Sequence, residues 1–326
     1  MNNSISTLET HAEKLASTLP PLLIEAERVA STVFQGIHGR RHAGQGDEFW
    51  QYRRYSPGDS PRNIDWRRSA KSQTTHDNSG VFIRQKERES AQTLWIWAGG
   101  GPGMDWSSQW SNVTKKHRVS VLSLALAHLL IRGGEKVALV GGQTSPSNSQ
   151  KNIHTIARQL ENHDHASGDL PSGHHFPPNG ALVCFADFLS PLPDLHQVFQ
   201  FLARQKLKVW LVQVLDPAEM NLPYTGRIKF QLPSGDQELL HSDVASIRSS
   251  YIDRIRAHNQ DLSAMVRKWG WRHLVHTTEQ PPEATLLSLY QNITGHNTRE
   301  RQNNMEASSN LEDDSISTNQ YGDRRA

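Results

Sequence analysis

Three carboxylates stand where an open α/β sheet would do its chemistry. Asp187 follows the apolar run Ala181–Ala186, and Asp216 and Glu219 follow the run Lys208–Leu215. A third apolar run, from Thr93 to Trp97, exits into Ala98-Gly99-Gly100-Gly101-Pro102-Gly103-Met104. In an open parallel sheet, ligands collect outside the carboxyl ends of the strands, where neighbouring connections leave in opposite directions. Carboxylates at such an edge suit two tasks: supplying oxygen to a hard divalent cation, and general acid/base catalysis. For Asp216-Pro217-Ala218-Glu219 a strand-end cap is the simpler account.

The other residues capable of chemistry carry less. Backbone amides of a glycine-rich turn bind anions when a helix starts directly behind it. Here Met104 occupies the last glycine of a Gly-x-Gly-x-x-Gly pattern, Asp105-Trp106 follows where the helix should open, and no Gly-x-x-x-x-Gly-Lys-Ser/Thr occurs. His163, His165 and His174-His175 lack the spacing of a zinc site. Cys184 is the single cysteine and falls inside an apolar run, where a thiol is inert. There is no Gly-x-Ser-x-Gly elbow, and no catalytic constellation is identified.

Residues 53–67 form a different kind of cluster. Pro57-Gly58 marks a chain reversal, because proline presets the first corner of a turn and glycine accepts the positive φ of the second. Around it Arg53, Arg54, Arg62, Arg67 and Arg68 alternate with Asp59 and Asp65 and with Tyr55, Ile64 and Trp66. A guanidinium fork grips a carboxylate through two hydrogen bonds, so Arg54 with Asp59, or Arg62 with Asp65, is suited to locking the loop. The same arginines beside Tyr55 and Trp66 also suit phosphate contact and base stacking. The interspersed acids weigh against that nucleic-acid reading by weakening a phosphate footprint.

The elements that position these residues read as strand and helix in alternation. Residues 5–34 have helical spacing interrupted at Pro20-Pro21, 36–78 is loop-rich, and 80–89 reads as a strand. The run 93–97 suits a strand buried on both faces. His117–Arg132 is a helix apolar nearly all round, stopped by Gly133-Gly134, with a strand at Lys136–Val140. A helix at 150–163, a strand at 181–186, a helix at 192–204 and a strand at 208–215 follow. Then come a strand pair within 226–240, a long helix from Ser242 or Asp243 ended by Gly270, a strand at 271–276 and a helix at 283–292. Such alternation predicts a doubly wound, mostly parallel sheet with helices on both faces. The expected organisation is an N-terminal extension of helices, loops and hairpin over 1–90 packing on the core, an α/β domain over 91–295, and a disordered polar tail over 296–326.

The stretch Gly39-Arg40-Arg41-His42-Ala43-Gly44-Gln45-Gly46-Asp47-Glu48-Phe49, followed by Arg54-Tyr55-x-Pro57-Gly58-Asp59-x-x-Arg62-x-Ile64-Asp65-Trp66, resembles the signature of the bacterial domain-of-unknown-function family 58. The resemblance extends to about residue 292. It implies a von Willebrand factor A-like domain and partnership with a MoxR-type AAA+ ATPase. In that fold the first strand exit normally reads Asp-x-Ser-x-Ser and ligates a divalent cation. Aligning Trp97 and Met104 on the pattern puts Gly99 at the aspartate and Gly101 and Gly103 at the serines, while Asp187 matches the aspartate of the later strand. The resemblance therefore implies a degenerate metal site in which Asp187 is the remaining ligand and no metal or other cofactor is expected. Restoring Gly99→Asp, Gly101→Ser and Gly103→Ser together is the substitution set that asks whether magnesium affinity appears.

With 35 basic against 33 acidic residues the net charge is +2, which implies no general affinity for polyanions. No apolar h-region opens the chain, the most apolar run (119–131) is too short to span a bilayer, and one cysteine gives no disulfide frame. A cytoplasmic protein without membrane insertion is expected. The leading expectation is a non-catalytic adaptor that works with a MoxR-type ATPase on a client protein, with Trp106 and Trp110 as candidate contact residues. The alternatives are a metal-dependent enzyme at the Asp187/Asp216 edge and nucleic-acid binding through the arginine-rich loop.

Overall fold

The computed structural model describes residues 21–38, 49–55, 61, 64–70, 81–86, 92–162, 168, 170–171, 173–177, 180–231 and 238–295. The chain divides into two compact units, one formed by 1–37 with 92–326 and the other by 38–91.

Helix α1 (Pro21–His38) opens the described chain. Proline at its first position costs nothing there, because that N–H has no intrahelical partner in any case. Leu22, Leu23, Ala26, Val29, Ala30 and Val33 recur at helical spacing and bury one face in the core of the larger unit. The expected grouping of all of 1–90 therefore divides differently: α1 belongs with the sheet, and the smaller unit begins after it.

In the smaller unit β1 (Phe49–Arg54) pairs antiparallel with β2 (Phe82–Lys86), with α2 (Trp66–Ser69) between them in sequence. Asp65 caps α2 by accepting a hydrogen bond from the Arg68 N–H at 3.0 Å. The Arg68 guanidinium lies over the Phe82 ring at 5.3 Å.

The larger unit holds a five-stranded, all-parallel sheet in the order β4-β3-β5-β6-β9. Its elements follow in chain order: β3 (Thr93–Ala98), α3 (Lys115–Arg132), β4 (Lys136–Leu139), α4 (Gln150–Glu161), β5 (Ala181–Ala186), α5 (Leu192–Arg204) and β6 (Lys208–Leu215). After β6 come α6 (Pro217–Asn221), the antiparallel pair β7 (Ile228–Gln231) and β8 (Glu238–His241), α7 (Arg248–Lys268), β9 (Arg272–Thr277) and α8 over 282–295. Residues 244–246, at the expected start of the long helix, form one separate 3-10 turn, and α7 proper begins at Arg248.

The pleat sorts the strand side chains between two cores. Leu94, Ile96, Val183, Phe185, Val212 and Val214 face α1, α3, α4 and α8, whereas Trp97, Leu182, Cys184, Val209 and Leu211 face α5 and α7. Helix α3 lies in the middle of the first face. Its Val119, Val121, Leu122, Leu124, Ala125 and Leu126 are all but inaccessible, as a helix apolar on every side requires. The connection from β3 leads to β4 on one side and the connection from β5 to β6 on the other, so the switch in direction falls between β3 and β5.

Candidate functional site

At that switch point the chain places a lysine. Lys115 is the first residue of α3, its side chain is 1% exposed, and its ammonium bridges two of the three strand-end carboxylates. It donates to Asp187 Oδ2 at 2.9 Å and to Glu219 Oε1 at 2.5 Å. Asp187 comes from the end of β5 and Glu219 from α6 just beyond β6, so one side chain ties the exits of two strands to the helix that follows a third.

The remaining acceptors are also engaged. Asp216 is fully buried and caps α6: its Oδ1 accepts from the Ala218 N–H and its Oδ2 from the Ser108 N–H, at 2.8 and 2.9 Å. Glu219 Oε2 accepts the Asp216 N–H at 2.8 Å, which completes a capping box. The strand-end cap read from Asp-Pro-Ala-Glu is therefore formed, and Glu219 serves the cap with one oxygen and Lys115 with the other. Asp187 Oδ1 faces the Leu189 N–H at 3.4 Å. The next residue, Phe188, is fully buried at φ 47°, a left-handed conformation that turns the chain sharply away from β5.

The electrostatics follow from burial and pairing. Burial works against the Lys115 ammonium, yet Glu219 and Asp187 outweigh it and raise its pKa above the ordinary lysine value. Burial raises the Glu219 carboxyl, opposed by Lys115. The ammonium is held by acceptors from two different strand exits.

A wider polar frame fixes the same edge. The first turn of α3 is Lys115-Lys116-His117-Arg118, an all-basic run at the helix end whose dipole disfavours positive charge. Each residue meets a partner from another segment: Lys116 meets Asp105 at 3.0 Å, His117 meets Glu25 of α1 at 2.9 Å, and Arg118 donates to the Thr278 carbonyl at 2.8 Å. On the other side of the sheet Gln213, fully buried in β6, donates to the Asp187 carbonyl at 2.9 Å and to Asn259 at 3.1 Å.

The glycine exit of β3 is shaped for close approach. The Gly99 N–H donates to the Phe185 carbonyl at 2.7 Å, and a Cβ built on Gly99 would stand 2.8 Å from Ala186 Cβ and 3.0 Å from the Phe185 oxygen. A side chain does not fit there without separating β3 from β5. The restoring substitution Gly99→Asp therefore meets a steric obstacle before any cation is considered. Gly101 precedes a short 3-10 turn over Pro102–Asp105, which contains Gly103 and buries Met104.

The side chains at this edge are poorly suited to a divalent cation: Gly99, Gly101 and Gly103 offer no side-chain oxygen, Gly99 has no room for one, and one oxygen each of Asp187 and Glu219 already holds an ammonium. Among the described residues no three His, Cys, Asp or Glu side chains are grouped to hold a metal.

The other sequence-derived candidates of the larger unit take no part in the Lys115 ion pairs, although the Trp106 carbonyl accepts the Lys115 N–H at 3.4 Å. The Trp110 ring packs edge-on to Tyr224 at 5.2 Å, and Trp106 is 39% exposed. His174 and His175 lie against the Trp97 and Phe201 rings at 6.0 and 5.5 Å, while His163 and His165 are outside the described residues. Cys184 is buried, and desolvation pushes its thiol well up. In the signature, Pro57, Gly58, Asp59 and Arg62 are outside the described residues, and Arg54 is described only as the last residue of β1. The Tyr55 N–H donates to the Val81 carbonyl at 2.8 Å, and Trp66 is 66% exposed.

Lys115 is the residue that sequence reasoning missed. Its signal is the basic run 115–118 directly before a long apolar helix, where a helix start favours acids. Setting the helix start at His117 left Lys115 in the preceding loop.

Topology and site together define an α/β protein of the doubly wound, parallel class, with an ion-paired carboxyl edge. The chain belongs to the family described as protein of unknown function DUF58, whose model matches residues 51–261. Uncharacterized proteins of Mycobacterium bovis and Mycobacterium tuberculosis are each 25% identical over 276 residues, covering 79% of this chain and 83% of theirs. Among solved structures, a conserved hypothetical protein BatB from Bacteroides thetaiotaomicron matches at 12% identity and TM-score 0.38, over 63% of this chain and 98% of that one. An aerotolerance-related membrane protein from Bacteroides fragilis matches at 10% and 0.38, over 63% and 100%. In the present chain, no helix among the described residues is long and apolar enough to cross a membrane.

Proposed function

We propose that the chain is a non-catalytic, cytoplasmic interaction module of von Willebrand factor A-like type, which works with a MoxR-type AAA+ ATPase in the folding, assembly or activation of another protein. The observation that carries this reading is the state of the carboxyl edge. A catalytic or metal-loading edge needs carboxylate oxygens free to meet substrate or cation, whereas Asp187, Asp216 and Glu219 direct theirs to Lys115 and to backbone N–H groups. Metal-dependent chemistry at the Asp187/Asp216 edge loses support for the same reason. A degenerate adhesion-type site, held rigid by internal bonds and flanked by the exposed Trp106 and Trp110, fits a surface used for contact.

The test is co-expression of the full chain with a MoxR-type ATPase, followed by affinity capture with and without nucleotide. Retention of the ATPase, weakened by Trp106→Ala with Trp110→Ala while the fold is kept, supports the proposal. Absence of a complex in every nucleotide state, or turnover of a phosphoester or peptide by the purified chain, overturns it.

A further inference from the structure

We infer that Lys115 is the resident cation of this edge: its ammonium does the neutralising and tethering work that a divalent ion does in an adhesion-type site, so the site operates without metal. The inference rests on the adhesion-type reading above for the comparison, and on the present geometry for its content.

Two features that are independent in sequence point the same way. A cation is built in, because Lys115 enters from the start of α3 and bridges Asp187 and Glu219, the carboxylates of two separate strand exits. Side-chain ligands are missing from the β3 exit, because Gly99, Gly101 and Gly103 carry no side-chain oxygen. Physical chemistry links the two. A hard divalent ion needs about six oxygens and takes them from carboxylates, hydroxyls and water. An ammonium has three donors, so two carboxylates nearly satisfy it and the serine hydroxyls and the aspartate have nothing left to do.

Once the charge arrives covalently, the β3 exit is free to shrink. The Gly99 backbone comes within hydrogen-bond distance of Phe185, at 2.7 Å, where a Cβ would strike Ala186. A plain buried ion pair explains neither the placement of a lysine at the unfavourable end of a helix dipole nor its convergence with the residue matching the metal aspartate. The capping box gives Glu219 a fixed orientation, so the second carboxylate is held for the ammonium in advance.

The experiment is thermal unfolding of the purified full chain in EDTA and in millimolar Mn²⁺ or Mg²⁺, for the native protein, Lys115→Ala, Lys115→Ala with Asp187→Asn, and Lys116→Ala as control. The native Tm is expected to be the same in EDTA and in metal. Lys115→Ala is expected to unfold roughly 10 °C lower in EDTA, because it leaves two half-buried carboxylates together without their cation, and to regain at least about half of that loss in Mn²⁺. The added Asp187→Asn should abolish the recovery, and Lys116→Ala should show neither effect. If Lys115→Ala does not fold in EDTA, the readout becomes the fraction that refolds with and without Mn²⁺, and recovery only with the ion supports the inference.

Three results would overturn it: stabilisation of the native protein by Mn²⁺ that depends on Asp187, a Lys115→Ala variant as stable as the native chain in EDTA, or a destabilised variant that no divalent ion restores. The ATPase takes no part in these measurements, so they can fail while the adaptor reading stands, and the reverse.

Discussion

Glu219 divides its carboxylate between two tasks, giving Oε2 to the Asp216 N–H at 2.8 Å and Oε1 to the Lys115 ammonium. The division makes a graded test available. Glu219→Gln keeps an acceptor for the cap and loses the charge that faces Lys115, whereas Glu219→Ala loses both. Uncoupling a buried charge from its partner costs about 3–5 kcal/mol when nothing replaces it, and loss of a cap about 1 kcal/mol. Because Asp187 remains on Lys115, Glu219→Gln should cost roughly 2 kcal/mol and Glu219→Ala about 1 kcal/mol more, measured by urea unfolding near neutral pH. Equal losses in the two variants would mean that the cap contributes nothing beyond the ion pair, and an unaltered Glu219→Gln would mean that the ion pair contributes nothing.

The pH dependence of the Lys115 contribution has a defined sign. Its pKa is raised above 10.5 in the folded chain, so the folded state holds the proton more tightly than the unfolded state. The contribution is therefore complete below 10.5 and disappears as pH rises through the higher folded value. The stability gap between the native chain and Lys115→Ala should stay constant from neutral pH to 10.5 and narrow only above it. Narrowing below that point would show that the ammonium is not held by its two carboxylates.

Two histidines of β9, His276 buried and His273 half-buried, give the opposite behaviour at the acid end. His276 is fully buried in β9, its Nδ1 bonded to the Thr285 hydroxyl at 2.9 Å and its Nε2 without a hydrogen-bond partner among the described residues. Burial, with the nearby Arg118, lowers its pKa from 6.5 to about 4. His273 is lowered to about 4 by burial and by His258. Each contributes stability that is present above 6.5 and lost as pH falls through about 4, on the order of 3 kcal/mol apiece if the full difference is realised. Urea midpoints should drop across that window, and His276→Gln should flatten the drop. A His276→Gln slope equal to the native slope would count against a buried neutral imidazole.

The N-terminal helix supplies a prediction about domain organisation. Ala26 and Val29 of α1 are fully buried in the core that contains α3 and α8. Val29→Asp puts an unpaired carboxylate into that core and should cost at least about 3 kcal/mol, visible as a lower Tm of the sheet domain. If α1 instead belonged with residues 38–91, the substitution would leave the main unfolding transition in place.

The strands were legible from sequence because burial on both faces gives short continuous apolar runs: Ala181–Ala186 and Lys208–Leu215 are found at the ends the pattern indicates. The Asp-Pro-Ala-Glu cap was legible because its signal is local, with proline at the first helical position and an acid two residues on. Lys115 was not, because its meaning is non-local. Its partners lie 72 and 104 residues downstream, and no periodicity or short motif announces a pairing across three strand exits. The division of the chain was obscured for a related reason. Helix α1 and the sheet are adjacent in space and separated in sequence by the smaller unit, so the residue order suggests a boundary that packing does not respect.

The last prediction joins the glycine exit to the strand pair it serves. Gly99 sits where β3 and β5 diverge, and the gap that would receive its Cβ is closed by Ala186 Cβ at 2.8 Å and the Phe185 carbonyl at 3.0 Å. Neither neighbour is the free end of a flexible side chain, so relief requires movement of backbone. Gly99→Ala should therefore destabilise by roughly 1–3 kcal/mol, the usual cost of forcing one carbon into a closed core, and Gly99→Asp should cost more. Gly101→Ser meets no backbone strain at φ −61° and ψ 162°, so its cost, at a position that is itself buried, is one of side-chain space alone and should be smaller than at Gly99. The contrast separates two accounts of the glycine loop. If Gly99→Ala and Gly101→Ser are equally silent in urea unfolding, packing does not require glycine at either position. A large cost at Gly99 alone would mean that this position is needed as glycine, because the β3 exit is closed onto β5.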